Sequence, residues 1–171
     1  AYTLYQLGAL DAFCRTQGVK LQHVKPHGAL YNMAAKDYEL ARGICEAIYE
    51  FDKDLIVLAL SGGQLVRAGQ DIGLRTALEF FSDRAYEEDG TLVNRRKEGA
   101  VITDENEALA RVVRMIKENK LTAITGKDIS IKADSVCVHG DGVKALEFVK
   151  KIREKLTDEQ IAIKPLAEIV S

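Results

Sequence analysis

Residues 55–60 read L-I-V-L-A-L, with no polar residue and no alternation. A strand with one wet face alternates apolar and polar side chains, so an unbroken run of this length belongs to a strand covered on both faces. Such strands are characteristic of parallel sheets, where crossover helices shield the two sides. The rest of the chain supplies those helices. Residues 2–17 have Leu7, Leu10 and Cys14 at helical spacing, and Gly18 stands where a left-handed C-terminal cap would fall. Residues 34–50 carry Ala41, Ile44, Cys45 and Ile48 at i, i+3, i+4 and i+7. Ser61-Gly62-Gly63 opens a third helix over 63–72, ended by Gly73. Thr103-Asp104-x-x-Glu107 starts a fourth, with a stripe of Leu109, Val112, Val113 and Ile116. Asp141 is a natural N-cap for the last, whose stripe is Ala145, Leu146, Val149, Ile152 and Leu156. Strands are expected at 19–25, 55–60, 77–81 and 135–138, with short extended pieces at 122–125 and 129–132. The tail, 161–170, reads as an edge strand or docking segment interrupted by Pro165. This alternation predicts one α/β domain over residues 1–171 with a mainly parallel sheet.

Composition narrows the function. The 171 residues are 47% hydrophobic, enough for a sizeable core, and the net charge of -2 argues against a general nucleic-acid binder. No apolar run is long enough to span a bilayer, and the opening residues show no signal-peptide pattern, so a cytoplasmic protein without a membrane partner is expected. Cys14, Cys45 and Cys137 lack metal-ligand spacing and sit in apolar patterns, which predicts small buried thiols in a reducing compartment.

Chemistry-bearing residues gather where strands end, the place where parallel β/α folds build sites. The first cluster is K-P-H-G-A-L-Y-N at residues 25–32: Pro26 cannot donate to a ladder, so the strand stops at Lys25 and His27-Gly28 form its exit turn. The alternative is a solvated Lys25 and a His27 that caps the next helix. The second is Ser82-Asp83-Arg84-Ala85-Tyr86, followed by a long polar loop of the kind that often forms lids or binding loops. A carboxylate and a guanidinium there can face one pocket, or can form a surface pair worth about 0–1 kcal/mol. The third is His139-Gly140-Asp141-Gly142, where capping alone would explain Asp141. The turn at 61–63 could bring backbone N–H groups to a phosphate or be an ordinary tight turn. No Walker pattern occurs anywhere in the chain.

The segment K-P-H-G-A-L-Y-N closely resembles the K-P-H-G-x-L-Y-N signature of the LamB/YcsF family, which comprises the A subunits of bacterial ATP-dependent 5-oxoprolinase. Glu79, Phe81, Asp83, Arg84, Tyr86, Asp89, Gly90, Leu92, Val93 and Arg95 match a second family segment, and C-V-H-G-D-G at 137–142 matches a third. Ser82 stands where that family usually has Ala, and Asn94 where Pro is expected. The resemblance covers the C-terminal two-thirds or so of a family member. It implies an irregular β/α barrel related to the polysaccharide deacetylases, with its opening strands missing from this chain. The 171 residues alone are therefore expected to be poorly soluble or oligomeric, and inactive. The implied reaction is ATP-dependent opening of the 5-oxo-L-proline lactam to glutamate, with ATP and Mg2+, in a complex with B and C subunits; a homo-oligomer is compatible. The implied catalytic residues are Lys25, His27, Asp83, Arg84 and His139, with Lys25 and Arg84 as cations and the others as base, orienter or proton donor. Tyr31, Asn32, Tyr86, Arg95 and Asp141 are the implied substrate- or nucleotide-binding residues, and no metal ligand is assigned. Two other classes fit the same clusters: a metal-dependent amidohydrolase or deacetylase using His27, Asp83 or His139, and a scaffold subunit without chemistry.

Overall fold

A computed structural model of the chain describes residues 1–139 and 145–170. The described residues cluster into two compact units: Ala1–Leu78 with Val170, and Glu79–Ile169.

In the first unit, α1 (Tyr2–Thr16) ends in a Schellman cap. Gly18, at φ +66°, lets the Val19 N–H donate to the Cys14 carbonyl and its own N–H to that of Arg15. The α1 stripe is narrower than its spacing suggests, because Leu7 is buried whereas Leu10 is largely exposed. The expected strand at 19–25 shrinks to β1 (His23–Val24), the two residues with partners on β2; Pro26 then ends the pairing. The expected helix over 34–50 is in fact two. The first, α2 (Gly28–Ala34), follows His27 directly; the second, α3 (Tyr38–Phe51), has its own N-cap, the Asp37 carboxylate accepting from Leu40 N–H at 3.0 Å. Its buried face carries Ala41, Ile44, Cys45 and Ile48, as the spacing requires.

The apolar run forms β2 (Ile56–Leu60), and every residue of it is buried. The turn that follows is an ordinary one. Gly62 takes φ +78°, Gly63 N–H donates to the Leu60 carbonyl at 2.9 Å, and Gly63 rather than Ser61 occupies the N-cap of α4 (Gln64–Ile72). The close face of α4 is set by Gly69, where a Cβ would lie 2.7 Å from Thr76 Cγ2 on β3 (Arg75–Phe81). Alanine in a helix interior normally gains about 0.5–1 kcal/mol over glycine. Here the β-branched Thr76 cannot swing aside easily, so Gly69→Ala is expected to cost about 1–3 kcal/mol, read as a lower urea midpoint.

In the second unit, the end of β3 leads through the loop to α5 (Glu105–Glu118), capped by Asp104 accepting from Glu107 N–H. Its fully buried line is Ala108, Val112 and Met115, one step round from the expected stripe. An antiparallel pair follows, β4 (Lys120–Thr122) with β5 (Asp128–Ser130), and then β6 (Ser135–Cys137). The last long helix, α6 (Ala145–Asp158), buries Ile152 and Leu156 but leaves Leu146 exposed, because the helix is covered only toward its C-terminal half. The tail holds a short helix, α7 (Leu166–Ile169), in place of an edge strand. The strands of the four-stranded sheet follow the order β1-β2-β3-β6, with β1–β2 and β3–β6 parallel, which establishes the α/β class. Among the described residues no helix is long and apolar enough to cross a membrane.

Candidate functional site

The register of β3 against β6 builds the centre of the second unit. Glu79 lies opposite Ser135, Phe80 opposite Val136 and Phe81 opposite Cys137. Ser82 then locks the strand ends, donating from both N–H (3.3 Å) and Oγ (3.0 Å) to the Cys137 carbonyl. Two residues beyond the paired positions stand Asp83 and His139. Parallel strands leave at the same end, so the two side chains meet there: Asp83 Oδ2 lies 2.7 Å from His139 Nδ1. The other ring nitrogen, Nε2, is 3.3 Å from Arg95 Nη2. A guanidinium only donates, so Nε2 must accept and the proton must sit on Nδ1, which donates to Asp83. The imidazole leans on the Phe81 ring at a centroid distance of 5.6 Å. The Asp83 and His139 side chains remain 24% and 29% exposed, open enough to meet a ligand. Asp83 Oδ1 is buried without a hydrogen-bond partner.

The long polar loop, expected to form a lid or a binding loop, folds into a platform. Residues 83–86 form its central strip, with 91–93 on one side and 100–102 on the other. Val93 N–H donates to the Ala85 carbonyl, Ala85 N–H to Ala100, and Ile102 N–H to Asp83. Ala85, Val93 and Ala100 make a small core with Ile124. Arg84 runs beneath this strip, 5% exposed, its Nη2 donating to the Val93 carbonyl at 2.6 Å and its Nε to Ala100 at 3.4 Å. Burial first, and then the neighbouring Arg95, lower its pKa from the usual guanidinium value, while Asp83 and Tyr86 oppose the shift. Tyr86 is fully buried, stacked on Phe80, and its hydroxyl accepts from Phe81 N–H at 2.8 Å. Burial pushes its phenol up.

In the first unit, His27 takes the N-cap position of α2 in an extended conformation, but its ring makes no capping bond and is exposed. Lys25 is half-buried with its ammonium 5.5 Å from the centre of the Tyr31 ring, a cation–π contact. Tyr31 and Asn32 belong to α2 rather than to a turn. Tyr31 is buried, and Asn32 Nδ2 donates to the Gly28 carbonyl at 3.2 Å. Lys25 and His27 both line a cavity of about 800 Å³ with Tyr2, Leu7, Leu10 and Pro26.

A profile of the LamB/YcsF family matches residues 1–171. The chain belongs to the LamB/YcsF family. It is 66% identical over 169 residues to the 5-oxoprolinase A subunit of Clostridium beijerinckii, covering 99% of this chain and 66% of that protein. It is 57% identical over 169 residues to the 5-oxoprolinase A subunit of Campylobacter jejuni subsp. jejuni serotype O:6, with 99% and 66% covered. The crystal structure of the lactam utilization protein from Thermus thermophilus matches with a TM-score of 0.87 at 40% identity, over 95% of this chain and 64% of that one. The chain thus spans slightly less than two thirds of the length of these relatives.

Within this LamB/YcsF chain, the residues expected from sequence divide by what their polar atoms do. Asp83, His139 and Arg95 come together, with the Arg95 side chain exposed and the His139 ring partly so. Arg84 and Tyr86 have their polar groups engaged with backbone in the interior. Asp141 lies outside the described residues. Three contributors were not among the expected site residues: Phe81 against the imidazole and Ser82 at the strand ends, both inside the matched segment, and Arg111, which carries no sequence signal and whose Nη2 donates to the Arg84 carbonyl at 2.9 Å. The Arg111 Nε is buried without a hydrogen-bond partner, and burial lowers that guanidinium's pKa. Cys45 is buried, and burial pushes its thiol up to about 12; Cys14 and Cys137 are only half-buried. Among the described residues no group of three or more His, Cys, Asp or Glu side chains is placed to hold a metal ion.

Proposed function

We propose that this chain belongs to the A subunit of an ATP-dependent 5-oxoprolinase, in which His139 is the general base and Asp83 orients it. The observation that carries this reading is the 2.7 Å contact between Asp83 Oδ2 and His139 Nδ1, in a chain whose relatives bear that subunit's name. A carboxylate on Nδ1 fixes the ring and leaves Nε2 as the atom that can take a proton. In the reaction, ATP phosphorylates the lactam oxygen and makes the ring carbon electrophilic. Water adds to that carbon and its proton passes to Nε2. The C–N bond breaks, the nitrogen recovers a proton, and a second water hydrolyses the acyl phosphate to glutamate and phosphate. ATP enters as a magnesium complex, B and C subunits complete the assembly, self-association is compatible with it, and the setting is cytoplasmic. In this reading the parallel sheet is part of an irregular β/α barrel of the polysaccharide-deacetylase type.

In the first unit, Lys25 is the residue we propose as a phosphate counter-charge, with His27 beside it on the same cavity. Lys25→Met should lower 5-oxoproline-dependent ATP hydrolysis by about 10²–10³-fold, the effect of removing one well-placed electrostatic donor. Its cation–π contact with Tyr31 contributes about 0.5–1 kcal/mol to the change in stability, which the urea midpoint of the same variant reads separately from turnover. The reading as a whole is tested by assaying the full-length protein with its B and C partners, measuring ATP hydrolysis with and without 5-oxo-L-proline. ATP turnover independent of the lactam, or lactam opening without ATP, would overturn it.

A further inference from the structure

Arg95 occupies the exposed tip of a loop that is fixed at both ends. On one side Val93 is held by the Ala85 carbonyl and by the Arg84 guanidinium; on the other, the Ala100 carbonyl accepts from both Ala85 and Arg84. Between these anchors the tip is organised by Asn94, whose Oδ1 accepts from Arg96 N–H and whose carbonyl accepts from Lys97 N–H. A long, exposed side chain on a fixed base can swing without disturbing the platform. Its bond to His139 Nε2 is long at 3.3 Å and solvent-accessible, which makes it easy to exchange. It nevertheless occupies the one ring nitrogen that can accept a proton, because Nδ1 is committed to Asp83. Arg95 also stands close enough to the buried Arg84 to disfavour the charge on that guanidinium. An anion bound at the tip would relieve this like-charge proximity, and a carboxylate or phosphate offers a guanidinium two strong acceptors against the single neutral one on the imidazole.

We infer that Arg95 is an anion-binding latch on His139: an anionic ligand group draws the guanidinium away from Nε2 and exposes the base. This rests on the assignment of His139 as base, and adds that chemistry is held back until an anion engages Arg95. The lactam's carboxylate and the nucleotide's phosphates are the two anions the proposed reaction brings in, and both have the required chemistry.

The test is the 15N spectrum of His139 in the full-length protein, recorded alone and then with 5-oxo-L-proline, with 2-pyrrolidinone (the same lactam without a carboxylate), and with inorganic triphosphate. The protein alone should show the Nδ1–H tautomer with a hydrogen-bonded Nε2. An anion that operates the latch should move Nε2 downfield toward an unbonded acceptor, and 2-pyrrolidinone should not. A response to 5-oxo-L-proline alone assigns the trigger to the carboxylate, and a response to triphosphate assigns it to phosphate; either supports the latch. Arg95→Met should show the downfield position from the start, and Arg95→Lys should fall between. The latch is overturned if neither anion moves Nε2, if 2-pyrrolidinone moves it equally, or if Arg95→Met leaves it unchanged. None of these readouts needs turnover, so loss of the hydrolase reading in the ATP assay and loss of the latch are separate results.

Discussion

Replacing His139 with glutamine is expected to lower 5-oxoproline-dependent ATP hydrolysis by the assembled enzyme by about 10²–10⁴-fold, the usual contribution of a positioned general base. Glutamine keeps the bulk of the side chain and can still donate to Asp83, but its amide nitrogen cannot take a proton from water. The hydrogen bond at stake contributes about 1 kcal/mol net, so the urea midpoint should fall only slightly while kcat collapses. Asp83→Asn probes the same pair from the other side. An amide can turn its NH2 toward Nδ1 and so favour the wrong tautomer, against the pull of Arg95 on Nε2. A His139→Gln enzyme with near-normal coupled hydrolysis would remove His139 from the chemistry and leave the pair as a structural tie between β3 and β6.

The scaffold of this site was legible in the sequence because it depends on short-range patterns. The unbroken apolar run required a buried strand, and β2 is buried at every residue. Gly18 and Gly73 both marked helix ends through their left-handed conformations. Asp37 is itself a local signal for a second helix start inside the expected 34–50 helix, since its carboxylate accepts the free N–H three residues on. The division of labour among arginines was not legible at all. Arg84 and Arg95 lie in the same matched segment, yet one is clamped between carbonyls and the other reaches a histidine. Nothing in their neighbours distinguishes an arginine clamped in the interior from one at an exposed tip, because the difference comes from how residues 83–102 fold back on themselves. The meeting of Asp83 with His139 is half legible: the sequence places both at strand ends, but only the register Phe81 to Cys137 makes them neighbours.

Arg84→Ala should be the most destabilising single change near the site, costing about 3–5 kcal/mol. The guanidinium is buried, and its bond to the Val93 carbonyl is charge-assisted. Truncation leaves that carbonyl short of a partner and opens a cavity below the strip, next to the small core of Ala85, Val93 and Ala100. Two effects work in the opposite direction: a desolvated cation is removed, and Arg95 loses a like-charged neighbour. Arg84→Met separates these contributions, since it keeps much of the volume and removes the charge; it should cost less than alanine, by the cavity contribution. Arg84→Lys keeps the charge but not the fork that reaches two carbonyls, and should not restore wild-type stability. The consequence for the site is local before it is global. With its anchors at Val93 and Ala100 loosened, the tip holding Arg95, Arg96 and Lys97 should become a preferred tryptic site under native conditions. Cleavage there should be much faster than in the wild type at urea concentrations where both remain folded. If Arg84→Ala leaves both the urea midpoint and the rate of cleavage at the tip unchanged, the platform is held by its backbone pairing alone and Arg84 must be sought among the residues that meet the ligand.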